Sequence, residues 1–185
     1  MKNKITLISF LLLSTTIIAQ FTQGQNFCDE NKDGSYFPLV IEDKKIFWSN
    51  THYIEAIAGR KTINKKTYIA FNQTWKEGNV DRLYLREENG VVYQYEECCG
   101  RKETVRYDKR FKDGHVWKTA DKKGTYRILT TKGTFKTPLC NYKNVMIIEA
   151  DLQGGKFKFY YLKGHGYIGA SVNDQLVSYV TPRLD

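Results

Sequence analysis

Residues 82–96 read RLYLREENGVVYQYE, and this stretch decides the fold. Successive side chains of an extended chain alternate between two faces, so Leu83 and Leu85 share one face and Tyr93 and Tyr95 share one face of the following run. Between the runs, Glu88-Asn89-Gly90 supplies an Asn-Gly pair, which tolerates the positive φ of a tight hairpin turn. The reading is a two-stranded antiparallel hairpin.

Working outward, the same alternation of runs and turns continues. Gly-containing turns are expected at Asn31–Gly34, Lys76–Gly78, Lys112–Gly114, Asp121–Gly124, Thr131–Gly133 and Gln153–Gly155, about ten residues apart, which is the spacing of antiparallel β structure. Strands are expected at Lys45–Ser49, His52–Ala58, Lys66–Asn72, Arg82–Arg86, Val92–Glu96, Glu103–Tyr107, Val116–Thr119, Thr125–Thr130, Asn144–Ala150, Lys156–Tyr161, Tyr167–Ser171 and Gln175–Val180. In 156–161, Phe157, Phe159 and Tyr161 take one face, the pattern of a half-buried strand. No stretch keeps a helical period with caps. The expected fold is all-β: a single antiparallel sheet domain, curved into a barrel or a two-layer sandwich.

The chain opens with a short basic segment, Met1–Lys4, and an apolar run, Ile5–Ala19, shorter than a membrane-spanning helix needs. This reads as a cleaved signal peptide over 1–24, leaving residues 25–185 as the β domain, with cleavage after Ala19 as the alternative. Cleavage after Gly24 leaves 161 of 185 residues and removes only Lys2 and Lys4, taking the formal charge from +9 to +7. No Cys follows a small residue there to carry a lipid anchor, and no transmembrane segment is expected in the mature chain. The expected location is the periplasm, the cell surface or the medium.

All four cysteines, Cys28, Cys98, Cys99 and Cys140, lie beyond the cut, in a compartment where thiols oxidise. Adjacent cysteines rarely bridge each other, so Cys28 is expected to pair with one member of Cys98-Cys99 and Cys140 with the other. A soft-metal site lacks the C-x-x-C spacing and a nearby histidine, and no metal or other cofactor is expected.

No catalytic motif is present. Ser35, Ser49, Ser171 and Ser178 stand outside any G-x-S-x-G elbow, and there is no phosphate-binding or dinucleotide loop. His52, His115 and His165 have no metal-ligand spacing. Glu96 and Glu97 alternate across a strand and cannot form a dyad. The lysine-rich stretches Lys44-Lys45, Lys61–Lys66, Lys109–Lys112 and Lys122-Lys123 coincide mostly with turns, which describes a solvated surface rather than a nucleic-acid interface. Tyrosine, apolar in body and polar at its tip, suits both a sheet core and the wall of a binding site. Tyr93, Tyr95, Tyr160, Tyr161 and His165, the last between two glycines, are therefore the candidate binding residues.

Several of these segments together resemble small exported β-rich proteins common in Bacteroidota that have no assigned activity. They are Ser35–Leu39 followed by Ile46-Phe47-Trp48, the hairpin Tyr84–Tyr95, Lys112–Trp117, Thr131–Phe135 and Tyr160–Gly166. The resemblance implies export and a β fold, and carries over no catalytic residue.

The functional expectation is a non-enzymatic, exported binding protein with a disulfide-braced β scaffold, its partner a protein, glycan or lipidic ligand of the cell envelope. A narrower form is a periplasmic immunity protein that neutralises a cognate antibacterial toxin. The reading from another class is a hydrolase or metal-dependent enzyme that uses His52, His115 or His165 with Glu96, Glu97 or Asp151, and it requires those groups to converge.

Overall fold

A computed structural model describes residues 27–41, 43–97 and 103–181, and every regular element in it is a strand. The strands are β1 (Lys44–Trp48), β2 (Thr51–Ile63), β3 (Lys66–Trp75), β4 (Val80–Glu88), β5 (Val91–Tyr95), β6 (Glu103–Asp108), β7 (Val116–Lys118), β8 (Thr125–Lys136), β9 (Asn141–Leu152), β10 (Gly155–Leu162), β11 (Gly166–Val172) and β12 (Gln175–Thr181). The hairpin that opened the reading is β4–β5, with Asn89 at φ 54° and Gly90 at φ 79°, the positive values an Asn-Gly turn adopts. Among the described residues no helix is long and apolar enough to cross a membrane.

All twelve strands form one antiparallel sheet, ordered β6-β5-β4-β3-β2-β1-β12-β11-β10-β9-β8-β7. The first and last strands therefore pair at its centre, and two meanders run outward from them. Laid flat, twelve strands at a spacing of about 4.8 Å would set the edge strands β6 and β7 about 53 Å apart. Only residues 109–115 join those edges, and such a link reaches no more than about 28 Å fully extended. The sheet must curl until its edges approach. It stops short of closure, because no ladder joins β6 to β7 among the described residues.

The inner face of the curl holds one core, with Phe71, Leu85, Val92 and Tyr107 from one meander against Ile128, Met146, Ile148 and Tyr161 from the other. Tyr36 and Phe37, in the segment before β1, fill the space between them. The Phe37 ring stacks on Tyr107 of β6 at 5.0 Å and lies 4.5 Å from Tyr161 of β10, so one side chain touches both halves. The segment is held by backbone hydrogen bonds from Asn31 N to Lys163 O (3.0 Å) and from Gly164 N to Ser35 O (2.8 Å). A side chain at Gly34 would meet the Gly164 backbone at 2.5 Å, so this close crossing requires glycine.

A second core lies on the outer face of the later meander, where Phe135 stacks on Tyr160 at 3.8 Å among Tyr142, Val145, Leu162 and Ile168. Phe27 and Cys28 pack against it. This contact corrects the expected disulfide pairing: Cys28 bonds Cys140, with Cα atoms 5.5 Å apart, rather than a member of the adjacent pair. The β8–β9 turn carries Cys140 to the outer core that the N-terminal segment crosses. Cys98 and Cys99 lie outside the described residues. The expected turn at Thr131–Gly133 is also corrected, since these residues continue β8 through register shifts and the reversal comes at 137–140. There the Thr137 backbone N–H donates to Cys140 O at 2.9 Å, and the Thr137 hydroxyl accepts the Cys140 N–H at 3.0 Å.

Two outcomes follow from this packing. Phe37→Ala removes the ring shared by the two halves and should destabilise the fold by about 3–4 kcal/mol, read as a lowered urea midpoint. A non-reducing peptide map of the purified protein should recover a Cys28–Cys140 peptide, and recovery of Cys28 joined to the 98–99 peptide would contradict the structure.

Candidate functional site

Inside the curl, strands of both meanders and the N-terminal segment line a partly open cavity of about 190 Å³. Its walls are largely apolar, from Phe37, Ile41, Phe71, Leu83, Leu85 and Phe159. The polar groups that reach it are Lys44, Tyr53, Glu55, Gln73, Arg106, Tyr161 and Tyr167. Most arrive by simple alternation: Tyr53 and Glu55 share a face of β2, as do Phe71 and Gln73 of β3 and Leu83 and Leu85 of β4.

Arg106 arrives differently. In the β5–β6 ladder Val92 faces Tyr107 while Tyr93 faces Val105, so Arg106 is the extra residue of a β-bulge. A bulge breaks the alternation and re-aims a side chain. Arg106 and Tyr107 are thereby both sent inward, the one to the cavity and the other to the core around Phe37. Arg106 donates to the Tyr161 hydroxyl at 3.2 Å and lies 5.7 Å from the centre of the Tyr126 ring. It also lines a slot of about 300 Å³ between the two sheet edges, with Gln94, Glu96, Thr104, Lys118 and Asp121.

Lys44 and Glu55 are cross-strand partners in the β1–β2 register. The Lys44 ammonium donates to the His165 carbonyl, and Glu55 accepts from Gln73 Nε2 at 2.8 Å. Burial pushes Lys44 below its ordinary pKa, with the Glu55 charge opposing. Burial raises Tyr53, Tyr161 and Tyr167, so all three present neutral hydroxyls. The Tyr167 hydroxyl is buried beside the Ser178 hydroxyl. The reading of Lys44 as part of a solvated stretch is corrected by this placement: Lys45 takes the outer side of β1 over Phe47, and Lys44 the inner.

Of the sequence candidates, Tyr161 lines the cavity, and His165 contributes its carbonyl to Lys44. Burial, with Lys44 adding, pushes the His165 imidazole below its ordinary value, opposed by a hydrogen bond to the Asp29 backbone. Tyr160 belongs to the outer core and hydrogen-bonds Ser171 at 2.9 Å. Tyr93 and Tyr95 sit on the outer face of the first meander. There Arg86 lies 4.2 Å from the Tyr93 ring and forms a two-pronged pair with Glu103, which also binds Lys66 and accepts from the Tyr68 hydroxyl at 2.7 Å.

The histidines are not brought together. His52 lies on β2 beside Phe47, His115 stacks on Phe111 at 3.6 Å in the β6–β7 connection, and His165 occupies the β10–β11 turn. Each interacts with a different acid: His52 with Glu77, His115 with Asp108 and His165 with Asp29. Among the described residues no group of three or more His, Cys, Asp or Glu is placed to hold a metal ion. Sequence reasoning missed Lys44, Glu55, Gln73 and Arg106. The first three were open to alternation once the β1–β2–β3 register was known; Arg106 was hidden by the bulge. Comparison of the chain with protein-family models, with curated proteins and with solved structures returns no match.

The outer-face pair has a measurable pH signature. Burial raises Glu103, but hydrogen bonds from Arg86, Lys66 and Tyr68 outweigh it and hold its pKa at about 2, against 4.5 in the free side chain. A carboxylate lowered in the folded state stabilises fully above its unfolded pKa and loses that contribution as pH falls through the folded one. Allowing for the exposure of Lys66, Glu103→Gln should cost about 2 kcal/mol at pH 7. The gap between wild type and variant in denaturant midpoints should close between about pH 5 and pH 2.

Proposed function

We propose that the protein is an exported, non-enzymatic binding protein whose ligand occupies the cavity inside the curled sheet. The observation that carries the reading is the cavity itself, an apolar hollow into which a few polar groups from separate strands converge, the usual composition of a small-ligand site. Export is supported by the basic and apolar leader and by the Cys28–Cys140 disulfide, a bond that persists in oxidising compartments. A non-enzymatic role is supported by the separation of the three histidines and by walls that offer hydrogen bonds and shape rather than a nucleophile with its base.

Size restricts the ligand. A cavity of about 150 Å³ accommodates a benzene ring, so about 190 Å³ holds one substituted ring or a short aliphatic chain. Saturation-transfer NMR with toluene, benzyl alcohol and hexanamide should show contact with the purified mature protein. Leu83→Trp, which fills the hollow from β4, should abolish the contact while the far-ultraviolet spectrum stays that of a β protein. No contact from any of the three probes, or contact that survives Leu83→Trp, overturns the reading.

A further inference from the structure

Among the described residues, the charges that line the cavity do not balance. Lys44 and Arg106 face Glu55 across the cavity lining, two cations to one acid. Glu55 stands opposite Lys44 in the ladder and offsets it. Arg106 forms no ion pair among the described residues; it donates to the Tyr161 hydroxyl and also meets Tyr126, as both a ring and a hydrogen-bond partner. The acid that acts on it, Glu96, lies in the slot rather than in the cavity. A guanidinium keeps its proton in any protein site and offers five N–H donors in a flat fork. Enclosing such a group without an anion is expensive, and a carboxylate satisfies it with two parallel hydrogen bonds.

The surroundings say what kind of anion fits. On one side of Arg106 is the cavity, walled by Phe37, Phe71, Leu83 and Leu85; on the other is the polar slot between β6 and β7. An inorganic anion could use the guanidinium but gains nothing from the apolar walls. A molecule with an apolar body and an acid end uses both, with the body in the cavity and the head at the junction. The slot then serves as its way in, between two edge strands that no ladder joins among the described residues.

Resting on the reading of the cavity as a ligand site, we infer that the protein binds a small organic acid, with the carboxylate on Arg106 and a body of about six to nine carbons in the apolar hollow. The extra residue in β6 lets Arg106 and Tyr107 face inward together.

The test is calorimetric titration of the mature protein with hexanoate and 3-phenylpropanoate, their neutral counterparts hexanamide and 3-phenylpropanol, and sodium phosphate. Each acid should bind at least tenfold more tightly than its neutral counterpart, and phosphate should not compete at equal concentration. Arg106→Gln should remove the tenfold preference, and a far-ultraviolet spectrum matching the wild type shows that the variant is folded. Arg106→Lys, which keeps the charge but not the fork, should retain part of the preference.

Equal affinity for acid and neutral forms, or a preference that survives Arg106→Gln, overturns the assignment of the acid while leaving the cavity reading intact. Equal competition by phosphate shows an inorganic anion site and overturns it too. If neither acids nor neutral molecules bind, both readings fall. If Arg106→Gln does not fold, the same comparison in Arg106→Lys decides, and an unchanged preference there rejects the two-pronged contact.

Discussion

The seven residues between β6 and β7 constrain everything else in this protein. They join strands at opposite ends of a twelve-stranded order, which a flat sheet would separate by about twice their reach. The curl is therefore a consequence of connectivity, and the twist of antiparallel strands only assists it. Once the sheet curls, its inner face becomes an interior and the aromatic residues on that face become a core. Two edges, unpaired among the described residues, are left facing one another across a slot. The cavity and the slot are both products of a sheet drawn almost closed by a short link.

A curled but open sheet needs something to hold its halves at a fixed distance, and the segment before β1 supplies it. Phe37 reaches Tyr107 in one meander and Tyr161 in the other, and the Tyr36 hydroxyl donates to Thr131 O at 3.3 Å. The Cys28–Cys140 bond ties this segment to the β8–β9 turn across a separation of 112 residues. In the chain-entropy account, a loop of that length stabilises by about 4–5 kcal/mol through the unfolded state. The disulfide thus anchors the start of the segment that carries the wedge, whose Phe37 and Ile41 are part of the cavity wall.

How much of this was legible in the sequence follows from the range of the interactions involved. Each of the twelve expected strands is present, because alternation and turn residues are local: Leu83 and Leu85 announce a face, and Asn89-Gly90 announces a reversal within a few residues. Thr131–Gly133 misled because a glycine can serve a bulge as well as a turn. At this glycine the Ile147 side chain comes within 2.5 Å of where a Cβ would stand, so close packing explains the residue. The Cys28–Cys140 pair was missed because it depends on which face the N-terminal segment crosses, a tertiary fact. Tyr161 was legible as a candidate and lines the cavity, while Lys44 was read as one more lysine near a turn. Its neighbour Lys45 fits that description, and a single step along a strand separates the two environments.

Arg106 shows why the site was harder to read than the fold. In Glu103–Asp108, strict alternation sends Arg106 to the face opposite Tyr107, and the hydrophobic pattern would then place Tyr107 in the core and Arg106 in solvent. The bulge cancels that choice by giving two consecutive residues the same direction. Such a device has a thermodynamic cost, since it breaks a ladder and encloses a charge that an apolar residue would replace without penalty. Local rules are broken most often where a protein binds or reacts. The break here lies at a point where an apolar cavity meets a polar opening, which is where an amphipathic ligand would change from body to head.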